Sequence, residues 1–342
     1  MLRLPAFQYA APTSVEQALA LLAERPGRAR LIAGGTDLLP NLKHGIEEAE
    51  LVVSLKRVPG LRGAEELPDG SLRLGAMTTL EELAAEPAVR ARFRSLAQAA
   101  ALVAGPHHRR MGTLGGNVCL NTRCVYINQT YFWREALGFC LKKDGELCHV
   151  VKGGKRCVAA ASNDTAPPLM TFGARLALAS ARGQRELPLA EFFVKDGVFN
   201  KVLQPDELLT HVIVPPVAPG TASAYAKLRP RNSIDFPRLG VAVAFALRGG
   251  GAGGAGATVH DLRIVVTALA ATPQPLRDVG ALAEGRPAGE PLWEELGAAA
   301  HKQCHPLTNI DGDATYRREM APVFVKRALR DALAGAAPGA AR

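Results

Sequence analysis

A chain of 342 residues is longer than the roughly 250 to 300 residues over which a single hydrophobic core keeps growing, so two or three domains are expected. Hydrophobic residues at 48% and charged residues at 21% fit an ordinary globular protein, and no apolar run reaches the roughly 18 residues that a membrane span needs. The net charge of +9 is scattered, densest at "HHRR" (residues 107–110), and without a recognisable DNA- or RNA-binding motif it argues against a nucleic-acid partner.

The opening residues "MLRLPAFQYAAPTSVEQ" lack a basic region followed by an apolar stretch and a cleavage site, which gives the expectation of a cytoplasmic protein. In that compartment thiols stay reduced, and clustered cysteines read as metal ligands or catalytic groups rather than disulfides. Thr13 with Glu16 reads as a capping box before "VEQALALLAE", whose Val15, Ala18, Leu19 and Leu22 share one apolar face. "RARLIAGG" predicts a buried strand ending at Gly34–Gly35, "ELVVSL" a second strand, and Thr79 with Glu82 a capped helix through "LEELAAE".

"FRSLAQAAALVAG" is helical in pattern up to Gly105–Pro106, and the glycine-rich "GTLGGN" follows at 112–117. After the segment of Cys124–Cys157, "LMTFGARLALAS", "RELPLAEFF" and "ELLTHVIVPP" read as strand and helix pieces of an α+β arrangement, with a domain boundary near 217–222. Beyond it "SAYAKLRPR", "GVAVAFALR" and "LRIVVTALA" predict antiparallel strands, with "GGGAGGAGA" (249–257) as a surface connection. Two helices, around "PLWEELGAAAHKQ" and "ATYRREMAPVFVKRALRDALA", close the chain, and "GAAPGAAR" is expected to be disordered.

"AGGTDLL" (33–39) and "GTLGGN" are glycine pairs at the ends of apolar segments, where the backbone can approach a ligand and successive N–H groups can bind phosphate oxygens. Each alone reads as a tight turn, and neither is the G-x-G-x-x-G of a nicotinamide-binding Rossmann fold. Cys124, Cys140, Cys148 and Cys157 stand 16, 8 and 9 residues apart, which matches neither the C-x-x-C pairs of zinc knuckles nor the compact spacing of bacterial ferredoxins, so spacing leaves the metal open. Between them lie six basic residues (Arg134, Lys142, Lys143, Lys152, Lys155, Arg156) against three acidic ones (Glu135, Asp144, Glu146), a surplus suited to offsetting thiolate charge. Tyr126, Tyr131, Phe132, Trp133 and Phe139 are concentrated in the same stretch and are expected to screen a metal centre from water. Cys119 and Cys304 read as small core residues, His149 as structural, and "HHRR" as a solvated basic turn.

Taken together and in order, "IAGGTDLLP", "GPHHRRMGTLGGN", "DTAPPLM", "DELLTHVIVP", "YAKLRPRNSIDFP" and "YRREMAPVFVKRAL" resemble the FAD-binding medium subunits of molybdenum hydroxylases of the xanthine and carbon monoxide dehydrogenase type, over nearly the whole chain. Within that family the cysteine segment resembles the insertion that marks the β subunits of 4-hydroxybenzoyl-CoA reductases, where four cysteines bind an additional [4Fe-4S] cluster. The resemblance implies an α+β fold with two α/β FAD-binding subdomains of the vanillyl-alcohol-oxidase type at 1–55 and 56–218, the insertion at about 122–160, and a C-terminal domain at 219–335.

It also implies cluster ligands at Cys124, Cys140, Cys148 and Cys157. The FAD pyrophosphate is expected on Leu31, Ile32, Ala33, Gly34, Gly35, Thr36, Asp37 and Leu38 and on Thr113, Leu114, Gly115, Gly116 and Asn117, with Val103, Asp164, Leu208 and Lys227 around the flavin. Arg110 stands where relatives usually carry Asn. No catalytic residue is expected here, since the implied substrate site lies on a partner. The implied partners are a large subunit with molybdopterin cytosine dinucleotide and a small subunit with two [2Fe-2S] clusters, in a dimer of heterotrimers, with ferredoxin as electron donor. Two other readings stay open: an oxidative molybdenum hydroxylase acting on another aromatic, and a nucleotide-binding module stabilised by zinc on the same thiolates.

Overall fold

A computed structural model describes residues 2–249 and 256–336, in which three β-sheets, each with its own core, follow one another along the chain. The first contains β1 (Gln8–Ala10), α1 (Val15–Glu24), β2 (Ala29–Ile32), α2 (Leu38–Lys43) and β3 (Leu51–Ser54). Its strands run parallel in the order β1-β3-β2, and the central β3, "LVVS", is buried along its whole length, as a parallel strand covered on both faces must be. The α1 cap lies one residue later than expected. Ser14 accepts from the Gln17 N–H at 3.2 Å and Gln17 Oε1 accepts from the Thr13 N–H at 2.9 Å, so the cap is Ser14 and the expected Thr13–Glu16 box does not form.

The second unit begins with β4 (Ala64–Glu66), β5 (Leu72–Gly75), α3 (Leu80–Ala85), α4 (Pro87–Arg92), α5 (Arg94–Leu102), α6 (Pro106–Met111) and α7 (Leu114–Val118). The cysteine segment with α8 (Tyr131–Ala136) interrupts it, and α9 (Ala166–Thr171), β6 (Arg175–Ser180), β7 (Gly183–Pro188), α10 (Leu189–Phe192) and β8 (Leu208–Val214) complete it. Its antiparallel sheet has the order β4-β5-β8-β6-β7 and packs Leu72, Leu74, Leu176 and Val212 against Leu83, Phe93 and Leu96 of the helices. The Thr79–Glu82 capping box forms as expected. "HHRR" is helical rather than a turn, because Pro106 lacks an N–H and fits the first position of a helix as readily as it ends one. Thr113 likewise caps α7, so "GTLGGN" is a helix start.

The third unit holds β9 (Thr221–Leu228), β10 (Leu239–Arg248), β11 (Thr258–Thr267), β12 (Gln274–Pro275), α11 (Val279–Ala283), β13 (Arg286–Pro287), α12 (Glu290–Gln303) and α13 (Ala314–Gly335). The expected antiparallel sheet is present, in the order β12-β11-β10-β9 with β13 also on β11, and α12 and α13 cover it through Trp293, Leu296, Val325 and Leu329. Most of the glycine-rich connection (250–255) and most of the tail (337–342) lie outside the described residues. Among those described, no helix is long and apolar enough to cross a membrane.

Candidate functional site

The two glycine turns, far apart in sequence at Gly34 and Gly112, meet backbone to backbone. A Cβ on Gly34 would stand 1.8 Å from the Met111 carbonyl oxygen and 2.9 Å from the Gly112 nitrogen, so only glycine allows the chain after β2 to rest on the link between α6 and α7. Gly35 follows at φ +71° and turns the chain into α2. Among the described residues, the N–H groups of Gly34, Gly35, Thr36 and Asp37 donate to no protein acceptor, which leaves a row of free donors at the turn. The α7 turn differs: Leu114 N–H goes to Thr78 O, Gly115 N–H to Ala76 O and Gly116 N–H to Thr113 Oγ1. It contributes shape, and the first turn contributes donors.

Asn117 ties α7 to the next element, its Oδ1 accepting from the Thr165 N–H at 3.0 Å and from the Thr165 hydroxyl at 2.6 Å. Beside it Asp164 is buried, with its Oδ1 accepting from Tyr225 Oη at 2.7 Å and its Oδ2 from Lys227 Nζ at 3.0 Å. Burial drives the Asp164 carboxyl upward in pKa, and the Lys227 ammonium and Tyr225 hydroxyl oppose it. Lys227 crosses from β9 to the second unit, where it also donates to Leu102 O at the end of α5, next to Val103. Leu208 belongs to the core of the first unit, against which Leu31 packs. Tyr225 and Thr165 escaped sequence reasoning; Tyr225 carried a usable signal, since it stands two residues before Lys227 and so on the same face of its strand. Arg110 pairs on the surface with Glu81 at 3.2 Å and touches neither turn.

The cysteine segment leaves the fold through a narrow neck. Arg123 and Ala160 exchange both backbone hydrogen bonds at 2.8 Å, and Asn309, between α12 and α13, accepts from the Val125 N–H and donates to Val158 O. Arg123 links this neck to the first turn, with Nη1 2.9 Å from Asp37 Oδ1 and its guanidinium carbon 3.9 Å from the centre of the Phe236 ring. A cleft of about 260 Å³ opens there, lined among others by Arg123, Cys124, Ser162, Phe236 and Arg238.

Inside the segment, Cys124 joins Ile127 and Ala159 in a small core, with Cys140, Cys157, Tyr126 and Val150 packed on it. Burial pushes the Cys124 thiol up to about 11, and negative charge on Cys157, Cys140 or Cys148 pushes it in the same direction. A ready-made chelate is not present: among the described residues, no three His, Cys, Asp or Glu side chains are placed to hold a metal ion. Protonated thiols pack as small apolar groups, and nothing in that packing draws them to ligand spacing.

One other expectation changes here. Tyr131, Phe132 and Trp133 do not screen the sulfurs but face outward, Phe132 at 79% exposure, because a buried Arg134 fixes α8 by donating to His44 O and Gly45 O. Lys142, one of the six basic residues counted between the cysteines, is directed inward: its Nζ is 2.9 Å from Asn121 Oδ1 and also donates to Thr122 Oγ1 and Gly197 O, and burial pulls it down to about 8 against the pull of Cys157. Lys143 is paired with Glu48. His149 is structural as expected, its Nε2 2.6 Å from Phe139 O and its ring beside Tyr126. Cys304 is buried in the third core and Cys119 packs on the second.

Comparison with known proteins agrees with this geometry. Residues 5–217 match the FAD binding domain in molybdopterin dehydrogenase, and residues 223–332 match the CO dehydrogenase flavoprotein C-terminal domain. The carbon monoxide dehydrogenase medium chain of Hydrogenophaga pseudoflava is 32% identical over 333 residues, covering 96% of this chain and 98% of that one. A xanthine dehydrogenase FAD-binding subunit of Escherichia coli O157:H7 is 26% identical over 329 residues, 96% of each chain. A solved structure of the Hydrogenophaga pseudoflava carbon monoxide dehydrogenase superposes with a TM-score of 0.79 at 30% identity, covering 98% of this chain and all of that one. Free donors on a glycine turn, a second turn fitted against it and two matching domains across the chain therefore make this protein an FAD-binding medium subunit of the xanthine dehydrogenase and carbon monoxide dehydrogenase family of molybdenum hydroxylases.

Proposed function

We propose that this chain is the electron-transfer subunit of a molybdenum enzyme of the 4-hydroxybenzoyl-CoA reductase kind, holding FAD and a [4Fe-4S] cluster and serving the reductive dehydroxylation of an aromatic acyl-CoA. The observation that carries this reading is the packing of Cys124, Cys140 and Cys157 into one small core, with Cys148 in the same segment, whose neck is tied through Arg123 to Asp37 of the first glycine turn. When bound, such a cluster would pass single electrons, and FAD would store up to two and release them one at a time. Four sulfur ligands suit this group, and Ile127, Ala159 and Val150 pack an apolar wall against Cys124, Cys140 and Cys157.

In this reading Leu31–Leu38 holds the FAD pyrophosphate with the free N–H groups of Gly34–Asp37, while Thr113–Asn117 shapes the opposite wall. Asp164, Lys227, Val103 and Leu208 surround the rest of the cofactor. The subdomains are assigned as 1–55 and 56–218, with the insertion at about 122–160 and a C-terminal domain at 219–335. The partners are a large molybdenum subunit with molybdopterin cytosine dinucleotide and a small subunit with two [2Fe-2S] clusters, assembled in the cytoplasm as a dimer of heterotrimers. Ferredoxin is the donor, and the exposed Lys152, Lys155 and Arg156 are the cations that would steer it. A second reading keeps the flavin and reverses the net flow, as in an oxidative hydroxylase; the names of the relatives, carbon monoxide dehydrogenase and xanthine dehydrogenase, favour it.

Purification without oxygen, with iron, sulfide, zinc and flavin assayed together and spectra taken before and after dithionite, tests the first part. About four irons and one FAD per chain are expected; flavin with zinc, or with no metal, would remove the cluster and the case for a reductase. Assay of the whole complex with 4-hydroxybenzoyl-CoA and a strong reductant, against an oxidative assay on other aromatics, then decides the direction.

A further inference from the structure

The connection from α10 to β8 passes directly beneath one of the four cysteines. Asp196 accepts from the Val198 N–H at 2.7 Å and from the Phe199 N–H at 3.1 Å, turning the chain so that Gly197 N–H donates to Cys157 O at 2.9 Å. A Cβ on Gly197 would stand 2.6 Å from Cys157 Sγ and 2.7 Å from the Ala159 nitrogen. Gly197 is not among the left-handed glycines, so space and not backbone conformation demands a glycine there. Its carbonyl oxygen accepts from both Thr122 Oγ1 and Lys142 Nζ.

Lys142 brings a charge to this knot. Its three acceptors, Asn121 Oδ1, Thr122 Oγ1 and Gly197 O, are neutral, and no carboxylate pairs with it among the described residues. A buried ammonium without a counter-ion is costly; negative charge on Cys157, and after it on Glu47 and Cys124, favours it, while the Lys201 ammonium opposes it. The knot therefore supplies a fixed positive charge where ligating sulfurs would concentrate negative charge.

We propose that Lys142, Thr122 and Gly197 form a latch that seats Cys157 for ligation and raises the reduction potential of the four-cysteine centre. The inference rests on the cluster reading above and adds positioning residues that touch no substrate. Lys142→Met removes the charge and keeps the chain length. Gly197→Ala pushes on Cys157 Sγ and keeps the charge.

Both variants are made in the full chain and compared with the wild type for FAD, iron, the electron paramagnetic resonance of the reduced centre and its midpoint potential. Lys142→Met is expected to keep FAD and iron while the midpoint moves to a more negative value, because a less compensated cluster resists another electron. Gly197→Ala is expected to keep FAD and to lose iron or change the resonance line shape. An unchanged midpoint in the first variant, or full iron with an unchanged line shape in the second, overturns the latch. If the wild type itself holds no iron, the cluster reading has failed and the seating part is read without metal, from the rate at which iodoacetamide alkylates each cysteine by mass spectrometry. Cys157 should then react faster relative to Cys148 in Gly197→Ala than in the wild type, and equal ratios reject the latch.

Discussion

At the scale of single residues, the Asp164–Lys227–Tyr225 group shows how a buried charge is tolerated. The Lys227 and Asp164 side chains are 1% and 3% exposed, and every partner the carboxylate has comes from β9, on the far side of the boundary between the second and third units. Removing the ammonium by Lys227→Met should cost about 3–5 kcal/mol of stability, the range for a buried ion pair that loses one member. The double variant Asp164→Asn with Lys227→Met should recover part of that loss, because no charge is then stranded. Urea unfolding of the three proteins with saturating FAD measures it, and equal stabilities for the single and double variants would contradict the account. The Thr79–Glu82 box was legible in the sequence because both partners lie within one turn of helix, whereas nothing local joins Asp164 to Lys227 or Gly197 to Cys157. The inward heads of Arg134 and Lys142 were not legible for a related reason: composition counts a cation without saying whether its head reaches water or a buried carbonyl.

At the scale of elements, the cysteine segment is held by its ends and by two inward cations. The Arg123–Ala160 exchange closes the neck, and Asn309 clamps both of its strands from the third unit, through Val125 and Val158. Asn309→Ala keeps the backbone acceptor for Val125 but loses the side-chain donor to Val158. Amides between 124 and 158 should then exchange hydrogen faster while those of β10 and β11 keep their protection. Uniformly faster exchange, or none, would show that Asn309 holds something other than the neck. The strands and helices around this segment followed from periodicity, because a buried sheet face imposes it. The segment followed from no pattern, because its short helix α8 buries only Arg134 and leaves its aromatics in water.

At the scale of the molecule, the second and third cores are joined across a packed boundary, where α5 and α9 lie against β9, β10 and β11. Arg94 of α5 pairs with Asp331 of α13 at 2.8 Å, and Ala99, Tyr225 and Ala242 pack together across the boundary between the second and third units. The cysteine segment lies outside all three cores, so its excision should leave them standing. Joining Arg123 to Ala160 through an Asn-Gly turn preserves their paired backbone bonds and the Arg123–Asp37 link. The shortened chain should keep one FAD and nearly the parental Tm, with the four thiols gone. Loss of flavin would instead mean that the Arg134 bonds to His44 O and Gly45 O, at the end of α2, hold the first glycine turn in shape.

The outward face of α8 bears on how the polypeptide survives before it meets anything else. Phe132 at 79% exposure, Leu147 at 69%, and Tyr131, Leu137 and Trp133 near them in sequence present apolar surface that water does not favour. A freshly synthesised copy in dilute buffer has nothing to cover it, so such copies should stick to one another, to chaperones and to column matrices. Yield would then depend on what is produced alongside the chain as much as on the chain's own folding.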